Sequence, residues 1–71
     1  PNPATNVVQL TRKTNKLASI LIIDIYGRTL FSDSTLDKKT NLDVSNLITG
    51  FYTIVVIEGN EFSQMRLSVI K

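Results

Sequence analysis

Cysteine, histidine and tryptophan do not occur among the 71 residues. Without cysteine there is no disulfide framework and no thiolate nucleophile. Without histidine there is no Ser-His-Asp or Cys-His relay, no imidazole base and no zinc site of ordinary ligand type. Glycine is scarce, and Gly27, Gly50 and Gly59 stand too far apart to cradle a phosphate. No apolar run is long enough for a membrane span, and no basic-then-apolar leader opens the chain. The first residue is Pro1 rather than methionine, so the chain is expected to be a piece of something longer.

The charges that remain are modest. Net charge is +2. The cations fall into Arg12, Lys13 and Lys16, then Lys38 and Lys39, with Arg28, Arg66 and Lys71 standing singly. A nucleic-acid surface needs a denser stripe or aromatics for base stacking, so these groups read as solvated loops and no nucleic acid is expected as a partner. Six carboxylates are present: Asp24, Asp33, Asp37, Asp43, Glu58 and Glu61. A glycosidase-like pair would have to come from these, yet most fall in turns or on solvent faces of a domain with little room for a cleft. "DSTLD" (Asp33 to Asp37) offers oxygens but not the ligand density of a calcium loop. No cofactor, metal or catalytic residue is expected, and the domain itself is not read as an enzyme.

What the sequence has in quantity is short apolar bursts separated by turn residues. Val7 to Leu10 is followed by the polar "TRKTNK". "LASILIIDI" (Leu17 to Ile25) is rich in β-branched residues and reads as a strand. "YGR" (Tyr26 to Arg28) is a tight turn into "TLFSDS", which makes a hairpin. A short alternating strand at Asn41 to Val44, the corner "SNLITG", and the strand "FYTIVVIE" come next. "GN" (Gly59, Asn60) is a second two-residue turn, leading to a last strand from Glu61 to Ile70. Leu42 and Val44 share one face, and so do Met65, Leu67 and Val69. "FYTIVVIE" is apolar on both faces, as for a central strand covered on each side. About six or seven short strands with regular turns predict an all-β, immunoglobulin-like antiparallel β-sandwich. In "LITGFY", Leu47 packs beneath the corner, Gly50 bends the chain, and Tyr52 stands where sandwiches place a hydroxyl bonded back to upstream backbone.

The order "PNPA", "ILIIDIYGR", "LDVSNLITGFYTIVV", "RLSVIK" resembles the C-terminal sorting domains of the type IX secretion system of the Bacteroidetes. Pro1, Asn2 and Pro3 fill the opening motif. Ile22, Ile23 and Asp24 with Gly27 fill the second, Leu47, Gly50 and Tyr52 the third, and Arg66, Leu67 and Lys71 the last. Ile23 stands where the family usually has an aromatic, and the ending is less basic than in many members. The resemblance spans the chain and implies one sorting domain over 1–71, with 1–6 an extended lead-in held by Pro1 and Pro3. It also implies a function without chemistry. A cargo protein in the periplasm is recognised by the outer-membrane translocon and its shuttle proteins and passes to the cell surface. There a sortase-like peptidase cuts upstream of Pro1 and joins the cargo to lipopolysaccharide; some members keep the domain attached.

Two surfaces qualify as the part that is read. The last strand, if at a sheet edge, would template strand addition or a homodimer, with Arg66, Leu67, Val69 and Lys71 as the recognition element. The surplus apolar residues of "ILIIDI" and "FYTIVVI" would form a patch. The competing reading is an accessory sandwich that binds a carbohydrate or protein on a surface enzyme. Such modules grip sugars with exposed aromatics, and of Tyr26, Phe31, Phe51, Tyr52 and Phe62 the sequence places Phe31, Phe51 and Tyr52 in the core. A plain structural spacer ranks third.

Overall fold

A computed structural model describes residues 6–71, and these form six strands and no helix. They are β1 (Val7–Thr11), β2 (Ala18–Ile23), β3 (Thr29–Thr35), β4 (Lys39–Asp43), β5 (Gly50–Glu58) and β6 (Glu61–Val69). All pairings are antiparallel. One sheet has the order β3-β2-β5-β6 and the other contains β1 and β4. The two hairpins, β2–β3 and β5–β6, lie in the larger sheet, while the chain crosses between sheets before β2, β4 and β5. This is the all-β sandwich that the turn spacing predicts.

Alternation places the core. In β1, Val8 and Leu10 point inward; beside them in β4, Leu42 is buried, and Val44 follows just past the strand. The larger sheet answers with Ala18, Ile20 and Ile22 from β2, Tyr52, Ile54 and Val56 from β5, and Leu67 and Val69 from β6. Phe31 and Leu47 pack against this cluster at its margin. Each fully buried Ile, Leu or Val stabilises the fold by roughly 1.5–3 kcal/mol relative to an exposed position. A register shift at Ile22/Ile23 leaves Leu30 as the extra residue of β3, a bulge that leads into the β2–β3 turn.

The second hairpin turn is tight for a local reason. Gly59 has φ +59, whereas no non-glycine residue takes positive φ among those described. Positive φ at the first turn position only is the type II′ pattern, which matches the twist of the flanking strands.

The structure corrects two expectations. β5 is central, between β2 and β6, yet only one of its faces is covered, because β1 and β4 lie on one side alone. Its other face points outward, so Phe51 is exposed rather than in the core. Only Val55, flanked by Leu21 and Gln64 across the strands, is shielded there. Second, Arg12 is not a solvated loop cation: its side chain is 6% exposed. Met65 shares a face with Leu67 and Val69, as alternation predicts, and is 41% exposed.

Arg12 ties one end of the sandwich together. Its Nη1 donates to Glu58 Oε2 at 2.7 Å and to the Lys16 carbonyl at 2.8 Å. Its Nη2 donates to the carbonyls of Asp37 at 2.8 Å and Thr35 at 3.4 Å. Thr14 Oγ1 donates to the same Glu58 oxygen at 2.9 Å. The planar fork of arginine satisfies acceptors on several chain segments at once.

Candidate functional site

The opposite end of the sandwich is built from two chain corners. At the β2–β3 turn, Asp24 Oδ1 accepts the N–H groups of Tyr26 and Arg28, each at 2.9 Å. Its Oδ2 accepts Arg28 Nε at 2.8 Å. The Asp24 carbonyl accepts the Gly27 N–H at 3.0 Å, and Gly27 sits at φ +84, a conformation that favours glycine. Burial alone would raise the Asp24 carboxyl, but hydrogen bonds from the Arg28 N–H and guanidinium and from the Tyr26 N–H hold it below its ordinary value.

At the β4–β5 corner, Tyr52 donates its hydroxyl to the Ile48 carbonyl at 2.7 Å, the backward bond expected of this position. The Ser45 hydroxyl and N–H donate to Asp43 Oδ1 at 2.6 and 2.9 Å, and the Leu47 N–H donates to the Val44 carbonyl. Asp43 is thereby held below its ordinary value, first by the Ser45 hydroxyl. The chain end fastens onto the same corner. The Lys71 N–H donates to Thr49 Oγ1 at 3.1 Å, and its Nζ donates to the carbonyls of Ser45 and Val44 at 3.0 and 3.3 Å.

Between the corners runs a groove of about 550 Å³, lined by residues of Asp24–Leu30 and Asn46–Tyr52. Ile25, Tyr26, Ile48 and Phe51 stand 60–79% exposed around it. The Arg28 guanidinium lies 5.6 Å from the Tyr26 ring centre, and Arg66 lies 5.8 Å from that of Phe51. Both separations are within the range of a cation–π attraction.

The motif residues Asp24, Gly27, Leu47, Gly50 and Tyr52, spread over two segments, therefore converge on one end of the fold. Pro1, Asn2 and Pro3 lie outside the described residues. Gly50 departs from its expected role. Its φ is not positive, and an added Cβ would meet the Tyr52 hydroxyl at 3.8 Å, an ordinary contact. The fold does not demand glycine there.

Of the four residues expected in a recognition strand, Leu67 and Val69 are each 1% exposed and belong to the core. Arg66 is exposed, and Lys71 is hydrogen-bonded to the corner. β6 does lie at a sheet edge: among the described residues, β5 is the strand that pairs with it. Ile25 belongs to the apolar surplus of "ILIIDI" that the sequence offers as a patch, and it is exposed; Tyr26 and Ile48, large apolar side chains within two turn segments, lie outside that surplus. Among the described residues no group of three or more acidic side chains could hold a metal ion. No helix there is long and apolar enough to cross a membrane, which leaves β-barrels unaddressed.

The described residues form an all-β sandwich with an open edge strand and two hydrogen-bonded corners at one end. Residues 1–71 match the family described as the secretion system C-terminal sorting domain, and the chain belongs to that family. No curated protein matches the sequence. The family is that of the type IX secretion C-terminal sorting signals, which is not an enzyme family and implies interaction with the type IX machinery. Membership implies export to the cell surface or extracellular space.

Proposed function

We propose that this domain carries a cargo protein from the periplasm across the outer membrane by presenting a folded surface to the type IX translocon and its shuttle proteins. At the surface a sortase-like peptidase then cuts upstream of Pro1 and joins the cargo to lipopolysaccharide. The whole of 1–71 acts as one sorting unit, with 7–71 as the sandwich. The observation that carries the reading is the family match over the full length. The edge position of β6 supports a part for that strand in recognition, because backbone groups at a sheet edge template added strands. Arg66 and Lys71 supply its polar contacts, while Leu67 and Val69 hold the edge in place from the core. The same edge is where a second copy would pair.

The experiment fuses residues 1–71 to a periplasmic reporter in a type IX-competent strain and in one lacking the translocon. Surface delivery in the first strain alone is the expected result, and delivery in both, or neither, defeats the proposal. The role of β6 is read from Arg66→Gln with Lys71→Gln, because deleting Leu67 to Lys71 would remove two core residues.

A further inference from the structure

We propose that the groove between the β2–β3 turn and the β4–β5 corner docks an extended protein segment that alternates apolar and acidic side chains. Four observations lead there. First, Tyr26 and Ile48 are 78% and 79% exposed, although their turns are fixed by the Tyr26 N–H donating to Asp24 and the Tyr52 hydroxyl donating to Ile48. Large apolar groups held rigidly in water contribute nothing to the core, and such patches mark interaction sites. Second, the groove's volume fits side chains rather than a flat surface, which favours a peptide over a bilayer.

Third, charge selects the occupant. The carboxylates of Asp24 and Asp43 at this end are engaged by Tyr26, Arg28 and Ser45 of their own chain. Arg28, which ion-pairs with Asp24 and has a side chain 73% exposed, lines the groove over Tyr26, and Arg66 lies over Phe51 in the depression that adjoins it. A segment carrying carboxylates meets these cations, whereas a basic one meets like charge. Fourth, Gly50 lies in the floor of the groove with no conformational or packing need for glycine. Its missing side chain leaves room for a backbone to approach, a use of glycine separate from turns.

The proposal deepens the sorting reading by naming a surface and a partner chemistry, and only the partner's cellular identity rests on that reading. The binding test is an NMR titration of the full chain with the synthetic peptide acetyl-Asp-Ile-Asp-Phe-Asp-amide. The same sequence with lysine for aspartate and phosphatidylglycerol vesicles serve as the other arms. Shifts confined to Ile25–Leu30 and Asn46–Phe51, weakened about tenfold by Arg28→Gln or Ile48→Ser, are expected with the acidic peptide. Equal binding of the lysine peptide, binding of vesicles instead, or no binding by any probe overturns the proposal. In the reporter fusion, Ile25→Ser with Ile48→Ser should leave the cargo in the periplasm with an unchanged unfolding midpoint. Delivery equal to wild type removes the groove from the sorting contact. A wild-type fusion that is itself not delivered defeats the sorting reading and leaves the titration to decide the groove.

Discussion

Arg12 Nη1 and Glu58 Oε2 lie 2.7 Å apart, joining the end of β1 to the end of β5 across 46 residues of sequence. Removing the guanidinium takes the charged partner from the Glu58 carboxylate, which keeps the Thr14 hydroxyl, and unpairs the carbonyls of Lys16, Thr35 and Asp37 from it. Arg12→Ala should therefore lower stability by about 2–3 kcal/mol, less than for a fully buried pair because Glu58 remains 26% exposed. Arg12→Lys should recover little of this, since an ammonium cannot fork to the same acceptors. Urea unfolding measures both; a lysine variant as stable as wild type would assign the effect to charge alone.

The Tyr52 hydroxyl at the other end bonds backbone of its own corner, with the residue 7% exposed. Tyr52→Phe should cost about 1 kcal/mol and leave the Ile48 carbonyl to water. Amide exchange should quicken at Ile48 to Gly50 more than in β2, and uniform quickening would argue against a local latch.

The hairpins were legible because turn and strand signals agree. Gly27 and Gly59 both take positive φ, and strict alternation puts Leu42 with Val44 and Leu67 with Val69 on core faces. Three things were not. Arg12 draws its acceptors from positions 16, 35, 37 and 58, a combination that no local pattern encodes. In β5, apolar residues occupy both faces, so alternation cannot say which face is covered. That depends on the smaller sheet having two strands, and Phe51 falls on the open side. The convergence of Asp24 and Gly27 with Leu47, Gly50 and Tyr52 needs the cross-strand register, such as Ile22 beside Ile54, which no single segment carries.

Two glycines of the shared pattern should behave oppositely. Gly27→Ala places a side chain at φ +84 and should cost about 1–2 kcal/mol. Gly50→Ala should change stability by less than about 0.5 kcal/mol, since its Cβ meets nothing closer than 3.8 Å. Thermal unfolding of the two variants checks this. A large loss in Gly50→Ala would return that glycine to a folding role and weaken its assignment to the groove floor.

Acid should loosen the corner end first. Asp24 and Asp43 are both held below the ordinary value of 3.8. At Asp24 burial raises the value, and is outweighed by the hydrogen bonds from Arg28 and Tyr26. At Asp43 the Ser45 hydroxyl and N–H lower it, burial opposes, and the Lys71 charge adds to the lowering. With folded values depressed, the unfolded chain binds more protons through this range. The contribution is then complete above about pH 4 and is lost as pH falls through the folded values. Urea midpoints taken from neutral pH down to about pH 2 should fall steeply below about pH 4. Asp24→Asn should start lower at neutral pH and fall less on acidification, because one of the two linked protons is gone. Amides of Tyr26, Arg28 and Ser45 should exchange faster in acid before those of Ile20 and Ile54, relative to each amide's intrinsic rate. A variant whose midpoints fall in parallel with wild type would show that Asp24 carries none of the acid sensitivity.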